Sequence, residues 1–419
     1  MSQVPEHWSK RRTIIAGIVG NILEWYDFGV YGFFASIIAM HFFPSEDPSI
    51  SLIAAFGAFA AGFLMRPVGA VIFGHIGDRY SRGLALQLSV ICMAIPTFII
   101  GLLPTYETIG VTAAVLMVMM RMMQGIAVGG EYTSSIVFLA ENAPAGKRAY
   151  YTSWSIFGAV GGILLGSAVG AFMTTTMSPE DLNSWGWRVA FLVGIVVSVA
   201  GLLVRRGLGR QPPVEHERPP LIVAFQSHGK DIFRVIGLNA VNAVTFYMIF
   251  VYLVTWLTEV AQQTRAVALQ INTLSMFMLL VLLPLCAKLS DAWGRKKMLL
   301  LGIGGVAVLG YPLMMLMHHP DPVLIFAGQM GFVVLVACYG GSIPAEMTEI
   351  FPQKIRVTAV CVSYNISLAV LGGTAPMVAE WMNRFLHNDL AFAWYVVASA
   401  VISFLFALTV PERRNQSLD

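Results

Sequence analysis

Apolar runs long enough to cross a bilayer recur along almost the whole chain, and no soluble fold has an interior for so many of them. Twelve can be counted, at roughly 14–40, 51–75, 84–103, 109–140, 149–173, 187–206, 233–258, 266–288, 298–317, 322–349, 357–386 and 391–410. A helix needs about 20 apolar residues to cross a hydrocarbon core of about 30 Å. Only 12% of the 419 residues are charged and 57% are hydrophobic, whereas soluble domains are about a quarter charged. The expected class is therefore an all-α membrane protein with twelve transmembrane helices.

The placement of charge sets the expected orientation. Of the 26 Lys and Arg, 21 fall in the N-terminus, the tail and the loops that follow even-numbered spans, while the other loops hold only Arg188, Arg265 and Arg384. Bases collect on the cytoplasmic side, so both termini are expected there. Four cysteines, Cys92, Cys286, Cys338 and Cys361, sit in apolar runs without metal spacing and read as small core residues. The one long polar break carries Pro212, Pro213, Pro219 and Pro220. It divides the chain into an expected N-terminal bundle (1–206), a linker (207–232) and a C-terminal bundle (233–419).

The two bundles repeat each other. Asp78 and Arg79 leave one apolar run much as Asp291 and Arg295 leave another, with the two Asp 213 residues apart. Glu141, Pro144 and Arg148 are matched in spacing by Glu349, Pro352 and Arg356, 208 residues on. Duplication of a six-helix unit gives two pseudo-symmetric six-helix bundles. Asp78, Arg79, Arg82, Glu141 and Arg148 are expected to form one gating cluster at helix ends, and Asp291, Arg295, Glu349 and Arg356 a related one.

Charges inside the spans are the sharpest functional signal, because each is costly there and needs a partner or a cavity. Glu24 and Asp27 are three apart on the first span, with Asn21 one turn back, so the three share a stripe. Counted at about 1.5 Å per residue, Glu24 and Asp27 lie some 15 to 20 Å deep, and Arg121 about 18 Å from the other side. The same counting sets Arg66 and Glu131 together nearer the cytoplasm. Two charged layers are expected, Glu24 and Asp27 with Arg121 in the centre and Arg66 with Glu131 further in. The bland alternative is a set of structural ion pairs that lock the bundle.

Further along, Gly158, Gly162, Gly166 and Gly170 form a stripe for close helix packing in the fifth span. Asn239, Asn242 and Phe246 share a stripe of the seventh span beside Tyr247, and Trp25 and Tyr26 occupy the matching first span. Each aromatic is an ordinary packing residue taken singly. Their recurrence in symmetry-related spans is the pattern expected of a midplane site. Pro344 in the tenth span, and Gly372, Gly373 and Pro376 in the eleventh, are expected to break their helices.

Several stretches together resemble a known family. Gly74, Asp78, Arg79 and Arg82 follow the loop signature of the major facilitator superfamily, Gly-x3-Asp-Arg-x-Gly-Arg-Arg/Lys, with Ser81 in place of its Gly and Gly83 in place of its last base. Gly20-Asn21, Glu24-Trp25-x-Asp27-Phe28, Arg66-Pro67-x-Gly69, Arg121-x2-Gln124-Gly125 and Gly129-Gly130-Glu131 resemble the metabolite:proton symporters within it. The fifth span lacks the Gly-Pro pair usual in drug:proton antiporters, which leans towards import.

What the resemblance implies is a symporter of a bacterial-type inner membrane that imports a small carboxylate-bearing solute. A proline/betaine-type osmolyte is favoured, a di- or tricarboxylate such as citrate or 2-oxoglutarate is the alternative, and a transporter-derived sensor is the reading from a different class. Arg121 is the expected carboxylate anchor, since a guanidinium offers planar paired donors. Asn21, Trp25, Tyr26, Asn239, Asn242, Phe246 and Tyr247 are expected to line the solute, and Glu24, Asp27, Glu131 and Arg66 to handle the proton. Neither a metal nor a cofactor is expected, only protons as the coupling ion. The sequence holds no GxxxxGK[ST] nucleotide loop and no catalytic His, Ser or Cys cluster, so an enzyme is not expected. The expected partners are the solute, protons and the bilayer, with no nucleic acid, and the expected working unit is a monomer.

Overall fold

A computed structural model describes residues 10–79, 82–205, 220–413 and 418. Among the described residues nine helical segments are long and apolar enough to cross a membrane. The first span, Lys10–Phe33 continued by Ala35–Phe42, and the helices Arg82–Leu102 and Trp187–Arg205 complete the twelve. The first is diluted by Glu24 and Asp27, which is why apolarity alone does not pick it out. Large apolar side chains face outward all round, among them Phe172, Val196, Val308 and Val323. Such a coat suits lipid and would be a liability in water. The polar break is shorter than the sequence suggests: Pro220–Tyr247 is one helical stretch bent at His228, so residues 220–232 are helix rather than open linker.

Glycines decide how closely the spans approach. The expected stripe packs the fifth span, Arg148–Thr176, against the first. A Cβ on Gly158 would come within 2.7 Å of the Ile18 carbonyl, and one on Gly166 within 3.3 Å of the Tyr26 carbonyl. At Gly170 the neighbours become Leu269 and Phe34, where the eighth span, Arg265–Trp293, joins the contact. The second and fourth spans meet backbone to backbone, because a Cβ on Gly125 would overlap the Gly62 carbonyl and one on Gly129 would overlap that of Arg66. This crossing holds Arg66 and Arg121 at fixed heights.

The bundles touch along two seams. In one, the Ser167 hydroxyl lies 2.8 Å from Thr273 and accepts from Asn272 at 3.2 Å, joining the fifth and eighth spans. In the other, Gly373 of the eleventh span backs onto Phe63 of the second. Several spans are broken where they pass the centre. The fourth turns at Gly129–Gly130, and the tenth at Gly341–Ser342, just ahead of Pro344. The eleventh widens into a π-helical turn, Leu368–Gly372, ahead of Pro376. The seventh does the same at Met248–Tyr252 with neither Gly nor Pro to announce it. Wide turns of this kind leave carbonyls short of helical donors and occur often at functional sites.

The glycine contacts give a graded prediction. Gly162→Ala places a methyl against the Ile22 carbonyl and Trp25, and should lower the melting temperature and the folded yield of purified protein. Gly161→Ala, one residue away, meets nothing nearer than 3.5 Å and should be neutral or slightly stabilising. Equal melting for the two variants would contradict this packing.

Candidate functional site

Both intramembrane arginines are fully buried, and each lies in an aromatic cage. Arg66, at the break between the helices Pro48–Leu64 and Arg66–Arg79, sits over Trp25 and Phe63 at 5.2 and 5.4 Å from the ring centres. Its Nε donates to Asn365 Oδ1 of the eleventh span at 3.0 Å, so it bridges the bundles. Asn365 in turn donates to the Gly129 carbonyl at 2.6 Å, reaching the break in the fourth span. The Arg66 Nη2 lies 3.7 Å from Glu24 Oε1, in ion-pair range but beyond a good hydrogen bond. Tyr247 stacks on Trp25 at 6.5 Å, and Tyr132 and Tyr364 pack at 5.0 Å across the bundle boundary.

Arg121 is held differently, wholly within the first bundle. Its guanidinium lies 4.4 to 5.4 Å from the ring centres of Tyr31, Phe28 and Phe59. Desolvated cation–π contacts are worth about 2 kcal/mol each and offset part of the loss of water. Its Nη1 donates to Gln124 Oε1 at 2.7 Å, Gln124 Nε2 donates to the Thr97 hydroxyl at 2.7 Å, and Thr97 donates to Asp27 Oδ2 at 2.5 Å. Arginine and acid are thus joined through two neutral side chains. A bare Gly194 faces Asp27, with room for a Cβ only 2.9 Å from Oδ1.

These pairings revise the two expected layers. Glu24, expected in the central layer with Arg121, is instead the acid beside Arg66 among the described residues, and the side chain of Glu131 lies outside them. Nor do Asn21, Glu24 and Asp27 meet one neighbour. Each three-residue step falls about 60° short of a full turn, and the stripe fans out: Asn21 donates to the Ser155 carbonyl at 3.0 Å and to Ser135, Glu24 reaches Arg66, and Asp27 reaches Thr97.

Of the expected solute-lining residues, Trp25 and Tyr247 come together beside Arg66. Tyr26 does not: its hydroxyl donates to the Ala190 carbonyl of the sixth span at 2.8 Å. Asn21 likewise ties the first span to the fourth and fifth. Asn239 donates to Ser367 at 3.2 Å, Asn242 donates to Asn239, and Phe246 packs on Tyr247 and Phe250. Sequence reasoning missed Thr97 and Asn365, ordinary polar residues in apolar runs, and the buried Glu346, one turn before Glu349. Among the described residues no three His, Cys, Asp or Glu side chains are grouped to hold a metal.

At the end of the bundles that carries most of the bases, the charged helix ends form a clasp. Glu349 accepts from Arg148 at 3.0 Å and forms an ion pair with Arg295, whose Nη1 lies 3.0 Å from Oε2. Arg356 donates to Glu141 at 2.8 Å. Asp291 accepts from the backbone amides of Ala149 and Tyr150 at 3.1 and 2.9 Å, which sets a carboxylate on the positive end of the fifth span. The expectation of one cluster per bundle is therefore corrected. Arg148 joins the cluster of the second bundle and Arg356 reaches back to the first, so the clasp crosses the boundary. The side chains of Asp78, Arg79 and Arg82 lie outside the described residues. At the opposite end Arg384 pairs with Asp47 and Arg265 with Ser36, again between bundles. Both ends are clasped.

Glu349 is the keystone of the basic end, since Glu349→Gln removes the carboxylate that Arg148 and Arg295 share, while Arg295 keeps Asp291 at 3.4 Å. Breaking a buried pair costs about 3–5 kcal/mol. The variant should melt earlier and label faster at engineered cysteines placed along the cleft on that side. Glu141 is a third exposed, so Glu141→Gln should cost about 1 kcal/mol or less. Wild-type labelling in Glu349→Gln would show that closure does not rest on this residue.

Comparison with known proteins agrees with this fold. The sequence profile of the family "Sugar (and other) transporter" matches residues 13–207 and 219–419. The chain is 34% identical over 424 residues to the proline/betaine transporter of Escherichia coli (strain K12), covering 97% of this chain and 85% of that protein. It is 35% identical to the glycine betaine/proline/ectoine/pipecolic acid transporter OusA of Dickeya dadantii (strain 3937), covering 97% and 84%. Among solved structures, the D-xylose-proton symporter superposes with a TM-score of 0.77 at 19% identity, over 97% of this chain and 99% of that one. A partially occluded inward-open form of the xylose transporter XylE from E. coli gives the same TM-score at 18% identity. These relatives are transporters and not enzymes. The chain belongs to the sugar (and other) transporter family of the major facilitator superfamily, as a multi-pass membrane protein of two six-helix bundles.

Proposed function

We propose that the protein is a proton-coupled symporter that imports a small zwitterionic osmolyte of the proline/betaine type by alternating access. The observation that carries the substrate class is the charge balance of the centre. Among the described residues of the centre, two buried bases, Arg66 and Arg121, are matched by two buried acids, Glu24 and Asp27. A centre with no surplus positive charge suits a ligand with no net charge, whereas a di- or trianion would need more bases than acids around it. The names of the relatives point the same way, and the citrate or 2-oxoglutarate reading is the less favoured.

In this reading Asp27 is the proton-handling acid and Glu24 is the counter-charge of Arg66. Protonating Asp27 removes the charge that the Thr97–Gln124 chain connects to Arg121, which alters what Arg121 must be balanced by. The basic end faces the cytoplasm and acts as the inner gate, and residues 1–206 and 233–419 rock against each other. The clasp shifts an equilibrium by the difference between its energies in the two states, so a few kcal/mol suffices to reverse the populations. Protons serve as the coupling ion without a cofactor, and the monomer is the working unit.

Purified protein in proteoliposomes, offered labelled proline, betaine, citrate and 2-oxoglutarate under an inward proton gradient, tests the proposal. Proline or betaine should accumulate, and a protonophore should abolish accumulation. Accumulation of citrate or 2-oxoglutarate alone would overturn the zwitterion reading. Zwitterion uptake indifferent to the protonophore would overturn the coupling.

A further inference from the structure

The donors left without partners in the buried centre mark where a ligand's charge belongs. Arg66 Nη1, Trp25 Nε1 and the Tyr247 hydroxyl are buried and have no hydrogen-bond partner. All three belong to the cage at the bundle boundary, where Arg66 lies over Trp25 and Trp25 stacks on Tyr247. Three orphaned donors in one cage are an incomplete acceptor site, because a buried donor left unpaired is costly. Among the described residues the acid paired with Arg66 is Glu24 at 3.7 Å, too long for a good hydrogen bond.

Arg121 also has orphaned atoms, Nε and Nη2, but its surroundings differ. Tyr31, Phe28 and Phe59 enclose it, all from the first bundle, and its Nη1 is committed to Gln124. Arg66 instead touches both bundles through Asn365. A ligand that drives the two bundles to close must contact both of them.

We propose that the Glu24–Arg66 pair, rather than Arg121, is the receptor for the zwitterion: the solute carboxylate takes Arg66 Nη1, Trp25 Nε1 and the Tyr247 hydroxyl, and its cationic group takes Glu24 and the aromatic faces. This rests on the reading of the protein as a carrier of zwitterions. In the closed structure the Arg66 guanidinium occupies the face of Trp25 that a quaternary ammonium would use. Binding is then an exchange in which each charge of the solute replaces an internal partner of the opposite pair. Arg121, linked to Asp27 through Gln124 and Thr97, is left to the proton.

Equilibrium binding of labelled betaine and proline to purified protein in nanodiscs separates the two arginines, because it needs no gradient. Arg66→Gln should weaken betaine binding about tenfold or more, with partial recovery in Arg66→Lys. Trp25→Phe and Tyr247→Phe each remove one donor and keep the ring, so they remain informative if the arginine variants fold poorly. Each should weaken betaine about threefold to tenfold, and neither should weaken choline, which has the cation without the carboxylate. Arg121→Gln should bind betaine nearly as the wild type does while losing proton-driven accumulation. Wild-type betaine affinity in well-folded Arg66→Gln, Trp25→Phe and Tyr247→Phe, with affinity lost in Arg121→Gln, would overturn this site and leave the zwitterion reading standing. Wild-type protein that binds citrate or 2-oxoglutarate but neither zwitterion would overturn both.

Discussion

Burying charge in the middle of a membrane is the constraint on which this structure turns. A charged side chain at the centre of a transmembrane helix costs about 2.5–3.5 kcal/mol on insertion scales, and this chain places Glu24, Asp27, Arg66 and Arg121 there. Much of the local architecture serves to offset that cost. Backbone contact between the second and fourth spans at Gly62 and Gly125 brings the two arginines into the aromatic cages. Gly194 yields its side-chain volume to Asp27, and the broken fourth span lends the Gly129 carbonyl to the Asn365 that holds Arg66.

The same constraint links the centre to the ends. Charges that would repel or stay unpaired in an open cleft are matched across the bundle boundary when both ends close, by Glu349 with Arg148 at one end and by Asp47 with Arg384 at the other. Between them, Asn365 connects Arg66 to the eleventh span, which runs from Arg356 in one clasp to Arg384 in the other. One helix therefore touches both clasps and the central cage. A change of charge in the centre has a short mechanical route to either end.

Much of this was legible in the sequence because it depends on composition along a single helix. Apolar runs marked the spans, the four-residue glycine spacing marked the close-packing face of the fifth span, and the 208-residue repeat picked out Glu141, Arg148, Glu349 and Arg356. What stayed hidden depends on neighbours. Counting rises places Arg66 at a height but not at an azimuth, so its pairing with Glu24 could not be separated from a pairing with Glu131. A repeat shows that Arg148 and Arg356 are equivalent, and is silent on whether each binds its own copy or the other. Tyr26 and Asn21 carried the right chemistry on the wrong faces. Thr97 and Asn365 gave no signal, since a polar residue that serves a buried charge looks like any other until its partner is known. The wide turn at Met248–Tyr252 has no Gly or Pro to mark it.

The central claim is that a charge-neutral buried centre takes up a solute of no net charge together with a proton. Charge movement measures this directly. Proteoliposomes adsorbed on a solid-supported membrane, given a pulse of betaine or proline with no pH gradient, should carry net positive charge in the direction of the solute, and the sign should be the same for both solutes. A silent response during measured uptake, which would mean that no proton accompanies the neutral solute, or net negative charge moving with the solute, would contradict the account.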